Sequence, residues 1–165
     1  MGPEVSELEE KLADYVSVRH CITCSSGTDA LLIPLLALEI GPGDAVITTS
    51  FSFIATAEAI RLIGATPIFV DICPDTFNLN PALIPEAIQN AHEHGLNPKA
   101  IIPVDLFGLP AAYEKIEKTA AENDLFVLED AAQGFGGETC GRKACSFGNA
   151  ASTSFFPAKP LGCYG

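Results

Sequence analysis

Short apolar runs alternate with amphipathic helical segments along the chain, and this alternation constrains the fold more than any other feature of the sequence. Apolar runs of roughly four to eight residues between turn signals favour strands, and apolar residues at helical spacing favour helices. Helices are predicted at residues 4–17, 27–38, 54–63, 80–95 and 111–124. Strands are predicted at residues 20–24, 45–49, 66–72, 99–106, 125–130 and 150–156.

The predicted strands are continuous apolar runs, which is typical of strands that are covered on both faces. Strands that alternate with helices indicate a sheet of mostly parallel strands. With 165 residues, of which 48% are apolar, the chain is long enough for a domain with a substantial core. The sequence therefore predicts an α/β fold in three layers, with a mostly parallel sheet between two layers of helices.

The acidic charge of the chain argues against two classes of partner. The formal net charge is −12, and both nucleic acids and anionic membrane surfaces need basic patches. No apolar run reaches the roughly 18 residues of a membrane span, and the acidic first helix does not resemble a signal peptide. We therefore expect a cytoplasmic protein that binds neither nucleic acid nor membrane.

Six cysteines are scattered through the chain, and reduced thiols are the default expectation in the cytoplasm. Cys21 and Cys24 form a CxxC pair, whereas Cys140 and Cys145 lack that spacing and offer no second pair for a zinc site. The CxxC pair lies in the predicted strand 20–24. We therefore predict buried structural thiols there and no bound metal.

Polar or aromatic residues follow four of the predicted strands. They are residues 25–28, residues 50–53, Asp130 and Lys159. In an open sheet of parallel strands, ligands bind at the edge formed by the carboxyl ends of the strands. We therefore expect these four positions to meet in one crevice.

The stretch SSGTDA at residues 25–30 is a turn of small residues that opens a helix. Free N–H groups and the dipole at a helix N-terminus bind anions, phosphate especially. The same stretch is also compatible with an ordinary helix cap, in which Ser26 or Thr28 satisfies the helix end. The motif alone leaves both interpretations open.

The apolar run LFVLED ends in two carboxylates, Glu129 and Asp130. Neighbouring residues on a strand point to opposite faces, which disfavours a paired acid and base. A carboxylate at the buried end of a strand needs a partner, and a protonated ring nitrogen would serve Asp130. The alternative role for Asp130 is to cap the following segment.

Lys159 lies between two prolines in the stretch SFFPAKPLGCYG, so a helix is excluded there. A loop lysine is usually exposed to solvent, but Phe155, Phe156, Leu161 and Tyr164 surround this one in sequence. An apolar setting favours the neutral amine, which is a nucleophile for Schiff-base chemistry. A phosphate cradle, a carboxylate for a ring nitrogen and an amine nucleophile together predict a site for pyridoxal 5′-phosphate.

Seven segments of the chain resemble the DegT/DnrJ/EryC1/StrS family of sugar aminotransferases. They are GPEVSELEEKLADYV, SSGTDAL, GPGDAVIT, FSFIATAEAI, PIFVDI, EDAAQGFGG and SFFPAKPLGCYG. The resemblance covers essentially the whole chain, and EDAAQ followed by SFFPAKPLG is its most specific part. It implies a fold-type I enzyme that depends on pyridoxal 5′-phosphate (PLP), with a large domain like that of aspartate aminotransferase.

The resemblance also implies roles for individual residues. Lys159 matches the lysine that binds the cofactor as a Schiff base and later moves a proton between substrate and cofactor. Asp130 matches the partner of the pyridine nitrogen, and Gln133 matches the residue that hydrogen-bonds the ring hydroxyl. The implied catalytic residues are Lys159 and Asp130.

Further residues match the family's cofactor contacts. Phe53 matches the aromatic side chain that stacks on the cofactor ring, and Phe51 is the less favoured choice. The residues that match the phosphate-binding turn and its hydroxyl ligand are Gly27, Thr28, Asp29 and Ser154.

The family implies a reaction in which a keto group on a nucleotide-linked sugar becomes an amine, usually with glutamate as the donor. Its products enter surface polysaccharides, lipopolysaccharide or antibiotic sugars. The family also implies a homodimer whose active site takes residues from both subunits. Because family members are more than twice as long, the resemblance implies that residues 1–165 are part of the large domain and that the small C-terminal domain is absent from this chain.

Other functions are less well supported by the sequence. A non-catalytic regulatory or binding protein on the same fold would be expected to lose the lysine, and Lys159 is present. A dehydratase relative would carry a histidine at that position. A dinucleotide-binding protein needs GxGxxG after the first strand, where this chain has SSGTDA.

Overall fold

A five-stranded parallel sheet forms the centre of the computed structural model, which describes residues 2–164. Its strands are β1 (Asp44–Thr49), β2 (Thr66–Val70), β3 (Asn97–Ile102), β4 (Phe126–Asp130) and β7 (Ala150–Ser152). The order across the sheet is β2-β1-β3-β4-β7, and every neighbouring pair is parallel. Two short strands, β5 (Glu138–Thr139) and β6 (Arg142–Lys143), form a separate antiparallel hairpin.

Helices and strands alternate along most of the chain, as predicted, although no strand separates the first two helices of residues 2–164. Across the described residues the helices are α1 (Pro3–Val16), α2 (Gly27–Ala37), α3 (Ala55–Leu62), α4 (Ile84–Glu93) and α5 (Tyr113–Glu122). Short 3-10 turns lie at Pro81–Leu83 and Leu106–Gly108. Within residues 2–164, no helix has both the length and the apolar character needed to cross a membrane.

Helices cover both faces of the sheet, and each face has its own core. Side chains of α2 and α3 pack on one face with Val46 and Leu128. Side chains of α4 and α5 pack on the other face with Ile47 and Val127. Neighbouring strand residues point to opposite faces, which is why Val46 and Ile47 belong to different cores. The prediction of a three-layer α/β fold is confirmed.

Residues 20–24 do not form the strand that the sequence predicted. A strand needs a hydrogen-bonded neighbour, and none of the described strands pairs with this segment. The N–H of Thr23 donates instead to the Glu9 carboxylate, 2.7 Å away. Ile22 is 83% exposed, Cys24 is exposed and Cys21 is half-buried, so the prediction of a buried thiol pair is wrong.

The last predicted strand is shorter than expected, because β7 ends at Ser152 instead of at residue 156. Its neighbour β4 ends at Asp130, so no strand backbone remains to continue the ladder. The chain therefore enters a loop that carries Ser154 and Lys159. The sequence also missed the hairpin of β5 and β6, whose strands are too short to show an alternating pattern.

Candidate active site

The start of α2 packs directly against the loop that follows β7. A Cβ atom added to Gly27 would lie 2.8 Å from the Cβ atom of Ser154 and 3.1 Å from its hydroxyl oxygen. Real side chains do not approach so closely, so only glycine fits without a shift of the backbone. This contact places the Ser154 hydroxyl beside the first turn of α2.

The first turn of α2 has a side-chain cap and two N–H groups that the cap leaves unbonded. Ser26 caps the helix, because its Oγ accepts the N–H of Asp29 at 3.1 Å. Within the described residues, the N–H groups of Gly27 and Thr28 have no hydrogen-bond acceptor. Free N–H groups at the positive end of a helix attract an anion. The structure shows the cap that the sequence left open, and the geometry is compatible with the anion site as well.

Asp29 holds this turn in shape instead of offering a donor to an anion. Its carboxylate accepts the hydroxyls of Ser25 and Ser26 at 2.5 and 2.9 Å, and these bonds lower the pKa of Asp29. Its N–H is already engaged by Ser26. The sequence grouped Asp29 with the phosphate contacts, and in the structure its carboxylate and its N–H both bond to serines of the same turn.

Asp130 lies at the carboxyl end of β4 and is almost completely buried. Its Oδ2 accepts the hydroxyl of Thr56 at 2.7 Å, and its Oδ1 accepts the N–H of Ala132 at 3.2 Å. Sequence reasoning missed Thr56. The available signal was a polar residue at helical spacing with the buried Ala59 and Ile60.

Burial raises the pKa of Asp130, while the bonds from Thr56 and Ala132 and the charge of Lys159 act in the opposite direction. The carboxyl is therefore surrounded by donors and faces a lysine, but it has no ion-pair partner among residues 2–164. A buried carboxylate in such surroundings is suited to a cationic or protonated group on a ligand.

Lys159 lies in a compact loop that is closed by its own backbone. The Lys159 N–H donates to the Phe156 carbonyl at 2.8 Å, and the Cys163 N–H donates to the Phe155 carbonyl at 3.0 Å. A Cβ atom on Gly162 would lie 2.4 Å from the Pro157 carbonyl oxygen, so this tight turn also requires glycine. The Lys159 side chain is half-buried.

The two aromatic candidates after β1 have different neighbours. The ammonium of Lys159 lies 5.7 Å from the centre of the Phe53 ring. The Phe51 ring instead packs against Phe77, with 5.7 Å between the ring centres. Phe53 is 67% exposed and free to cover a ligand, so the geometry favours Phe53 over Phe51 as the residue beside the lysine.

Gln133 lies in the loop after Asp130 and is half-buried. Its side chain has no hydrogen-bond partner in the part of the chain that the structure describes. Glu129 points away from this site, and its carboxylate accepts the N–H groups of Cys145 and Phe147. The sequence-based expectation that Glu129 and Asp130 face opposite sides is confirmed.

These contacts bring the predicted residues together at one edge of the sheet. The start of α2 touches the β7 loop, Thr56 links α3 to Asp130, and Lys159 lies over Phe53. The four positions therefore meet as expected, although the turn before α2 follows an irregular segment instead of a strand. Together their groups can hold an anion, neutralise a protonated ring and offer an amine.

The chain matches the model of a protein family along its whole length. That family is described as the DegT/DnrJ/EryC1/StrS aminotransferase family, and the match runs over residues 1–165. The chain belongs to this family. The resemblance carried by the seven sequence segments is thereby confirmed.

Curated relatives of this DegT/DnrJ/EryC1/StrS chain include a protein named as an enzyme and a protein named as a regulator. One is the UDP-2-acetamido-2-deoxy-3-oxo-D-glucuronate aminotransferase of Pseudomonas aeruginosa, which is 50% identical over all 165 residues. Another, from Geobacillus stearothermophilus, is called a pleiotropic regulatory protein and is 46% identical over the same length. The chain spans 44% and 43% of the lengths of these two relatives.

Solved structures of family members superpose closely on the chain. A DegT DnrJ EryC1 StrS aminotransferase from Brucella abortus matches with a TM-score of 0.98 and 52% identity. The match covers all of this chain and 44% of that one. NtdA from Bacillus subtilis, solved with its bound cofactor PMP, matches with a TM-score of 0.89 and 39% identity. That match covers all of this chain and 36% of NtdA.

Proposed function

We propose that this chain belongs to a PLP-dependent aminotransferase that converts a keto group on a nucleotide-linked sugar to an amine. The observation that carries the proposal is the meeting of Lys159, the buried Asp130 carboxylate and the open first turn of α2 at one edge of the sheet. Residues 1–165 would form part of the large, cofactor-binding domain.

The residues present fit the cofactor. The free N–H groups of Gly27 and Thr28 and the hydroxyl of Ser154 would hold its phosphate at the positive end of α2. The Asp130 carboxylate would accept a hydrogen bond from the protonated ring nitrogen, which would supply the cationic partner that this buried carboxyl lacks among residues 2–164. Asp29 would support the phosphate cradle through Ser25 and Ser26.

The faces and edges of the ring would meet the remaining side chains. Phe53 would cover the ring, because its exposed side chain already lies beside the lysine. The unpartnered amide of Gln133 would donate to the ring hydroxyl. When bound, PLP supplies an aldehyde that captures amino groups and a ring that withdraws electrons from the reacting carbon. The Lys159 Nζ would anchor that aldehyde and carry a proton during the transfer.

The names of relatives support the substrate class. The Pseudomonas aeruginosa relative is named for a UDP-linked 3-oxo sugar, and it shares half of its aligned residues with this chain. We therefore propose a nucleotide-linked keto-sugar as substrate, with products used in polysaccharide, lipopolysaccharide or antibiotic sugars. We further propose glutamate as the amino donor, a homodimer as the active assembly and the cytoplasm as the location.

The test is covalent trapping of PLP on the chain. We expect borohydride reduction after addition of PLP to fix the cofactor on Lys159, which peptide mass analysis would show. Lys159→Ala should lose the label completely. Lys99→Ala is the matched control, because Lys99 is exposed and lines a groove of about 330 Å³ away from the site residues.

Two results would contradict the proposal. One is a label spread evenly over the lysines, and the other is equal labelling of Lys159→Ala and Lys99→Ala. The half-reaction gives a second readout, because glutamate should convert bound PLP to its amine form and a UDP-linked keto-sugar should convert it back.

A regulatory protein on the same fold is the second candidate function. It is favoured by the name of the Geobacillus stearothermophilus relative. The two candidates predict different outcomes of the half-reaction. A regulatory protein could be labelled at Lys159 but would not exchange amino groups between glutamate and a keto-sugar.

A further inference from the structure

Two fully buried carboxyl groups lie outside the proposed cofactor contacts. Asp105 follows β3 and Glu129 lies in β4, and neither side chain reaches solvent. Tyr113 donates to Asp105 and the Phe147 N–H donates to Glu129, and the rings of Tyr113 and Phe147 stack with their centres 4.4 Å apart, so the two carboxyls share one buried pocket. Each carboxyl also shifts the pKa of the other. Two carboxylate anions side by side repel and neither has a hydrogen to donate, so a bond between them requires a proton on one of them.

The surroundings of Glu129 favour it as the member of the pair that carries the proton. Its two oxygens accept the N–H groups of Cys145 and Phe147 at 2.6 and 2.8 Å. Each carboxyl oxygen has a second site, so a protonated Glu129 can keep both of these bonds and still donate its O–H. Burial, followed by the charge of Asp105, raises the pKa of Glu129.

Asp105 has the surroundings of the acceptor. Its Oδ1 accepts the N–H of Ala111 at 3.0 Å and the hydroxyl of Tyr113 at 2.8 Å. Its Oδ2 is buried and receives no hydrogen bond among residues 2–164 while Glu129 is ionised. Burial also raises the pKa of Asp105, while the bonds from Glu129, Tyr113 and Ala111 favour its anion.

The surroundings do not neutralise the pair in another way. The titratable groups that face it are Tyr113 of α5, Asp130 of β4 and Cys145 in the turn before β7. None of these is a cation. The guanidinium of Arg142 lies over the Phe147 ring at 4.5 Å and pairs with Glu117 instead.

The pair lies directly beneath the segment that carries the proposed cofactor residues. The Asp105 N–H donates to the Asp130 carbonyl at 3.0 Å, and the Asp130 N–H donates to the Pro103 carbonyl at 2.9 Å. A Cβ atom on Gly134 would lie 2.5 Å from the Cβ atom of Asp105, so the loop after Asp130 rests on this side chain. Gln133 is in the same loop.

We propose that Glu129 keeps its proton at neutral pH and donates it to Oδ2 of Asp105, and that this bond fixes the strand end and loop that carry Asp130 and Gln133. Both members of the pair are positioning residues. They act through the backbone of β4 and the following loop. The inference concerns the fold of this chain and stands whether or not the proposed function is correct.

The direction of the pH effect follows from the proton count. At neutral pH the folded chain holds a proton on Glu129 that the unfolded chain has released. Folding stability therefore falls as the pH rises from the ordinary range of a glutamate through the raised pKa of Glu129. The same rise in pH should loosen the segment above the pair.

Carbon-13 NMR of the side-chain carboxyls tests the proton directly. In the wild-type chain we expect the Glu129 signal, assigned through its own side-chain carbons, to report a protonated acid at pH 7.5 and to titrate only at alkaline pH. A Glu129 signal that reports an ionised carboxylate at pH 7.5 would overturn the proposal. This measurement needs neither a variant nor a cofactor.

Asp105→Asn tests whether the pair depends on the proton of Glu129 or only on the packing of the two side chains. The new amide can keep the Oδ1 bonds and donate from the position of Oδ2 to an ionised Glu129, so the variant no longer needs the proton. We expect the Glu129 titration to move below neutrality. Asp14→Asn, on the exposed side of α1, is the matched control and should leave the titration of Glu129 unchanged.

Hydrogen exchange tests the positioning role. In the wild-type chain we expect the protection factors of the Ala132 and Gly134 N–H groups to fall by tenfold or more as Glu129 loses its proton. In Asp105→Asn they should stay constant over the same pH range. Protection that is independent of pH in the wild-type chain, or equally dependent in both chains, would contradict the role of the pair.

Discussion

Glu129 and Asp130 are neighbours on β4 and are buried to nearly the same degree, yet they lie in opposite surroundings. Glu129 faces a closed interior, where two backbone N–H groups and a second carboxyl meet it. Asp130 faces the open edge of the sheet, where a hydroxyl, one N–H and the charge of Lys159 meet it. Burial alone therefore does not distinguish the two carboxyls, whereas their neighbours do.

Replacing each carboxylate by alanine gives the largest expected difference between the two sides of β4. Glu129→Ala leaves two buried N–H groups without an acceptor and removes the neighbour of the buried Asp105 Oδ2, so we expect the free energy of unfolding to fall by about 3–5 kcal/mol. Asp130→Ala releases one hydroxyl and one N–H at the open edge of the sheet, so we expect a smaller loss of about 1–2 kcal/mol. Urea unfolding at pH 7 measures both.

Retention of PLP should show the reverse order. Asp130→Ala should lose the cofactor, and Glu129→Ala should keep it wherever the variant remains folded. Equal losses of stability in the two variants would contradict the claim that the different neighbours of Glu129 and Asp130 give the two carboxyls different roles.

A methyl group at Gly27 should disturb only the edge of the sheet that carries the proposed cofactor residues. Gly27→Ala brings a Cβ within 2.8 Å of Ser154, and we expect this overpacking to lower stability by about 2 kcal/mol and to weaken PLP binding. The double variant Gly27→Ala/Ser154→Gly removes the clash and should recover most of the lost stability. Gly41→Ala is the control, because its Cβ would meet only the Ile63 carbonyl at an ordinary 3.7 Å. Failure of the double variant to recover would show that the contact is not the cause.

Removal of one hydroxyl beside each buried carboxyl gives the smallest expected effects. Tyr113→Phe removes a donor from Asp105, and Thr56→Val removes a donor from Asp130. We expect Tyr113→Phe to lower stability by about 1.5 kcal/mol. We expect Thr56→Val to weaken PLP binding by about tenfold, with a smaller change in stability. Urea unfolding and PLP titration of both variants decide whether each hydroxyl serves the side on which it lies.

The α/β fold could be predicted because its signals are local. The apolar runs at β1 and β4 are bounded by turns, and the Gly41-Pro42-Gly43 stretch before β1 marks one such turn. Strand alternation also predicted that Glu129 and Asp130 would face opposite sides. The segment 20–24 has the same local pattern but forms no strand, because pairing depends on a neighbour that local sequence does not reveal.

The candidate site was predictable only in part. Lys159, Asp130 and Gly27 were found because each lies in an unusual local context. Thr56 was missed, since its partner Asp130 is 74 positions away in the chain and its helical spacing with Ala59 and Ile60 indicates burial without naming a partner. Phe51 and Phe53 look alike in sequence, and only their ring neighbours separate them.

The sequence by itself determined the order of helices and strands, the family and most of the residues at the candidate site, because these depend on local pattern and residue type. The tertiary structure decided which partners those residues receive. Among residues 2–164 it showed that Ser26 caps α2 while two N–H groups remain free, and that Glu129 and Asp105 are both fully buried. Hydrogen bonds and pKa shifts depend on groups brought together from distant parts of the chain, and a linear pattern does not contain those distances.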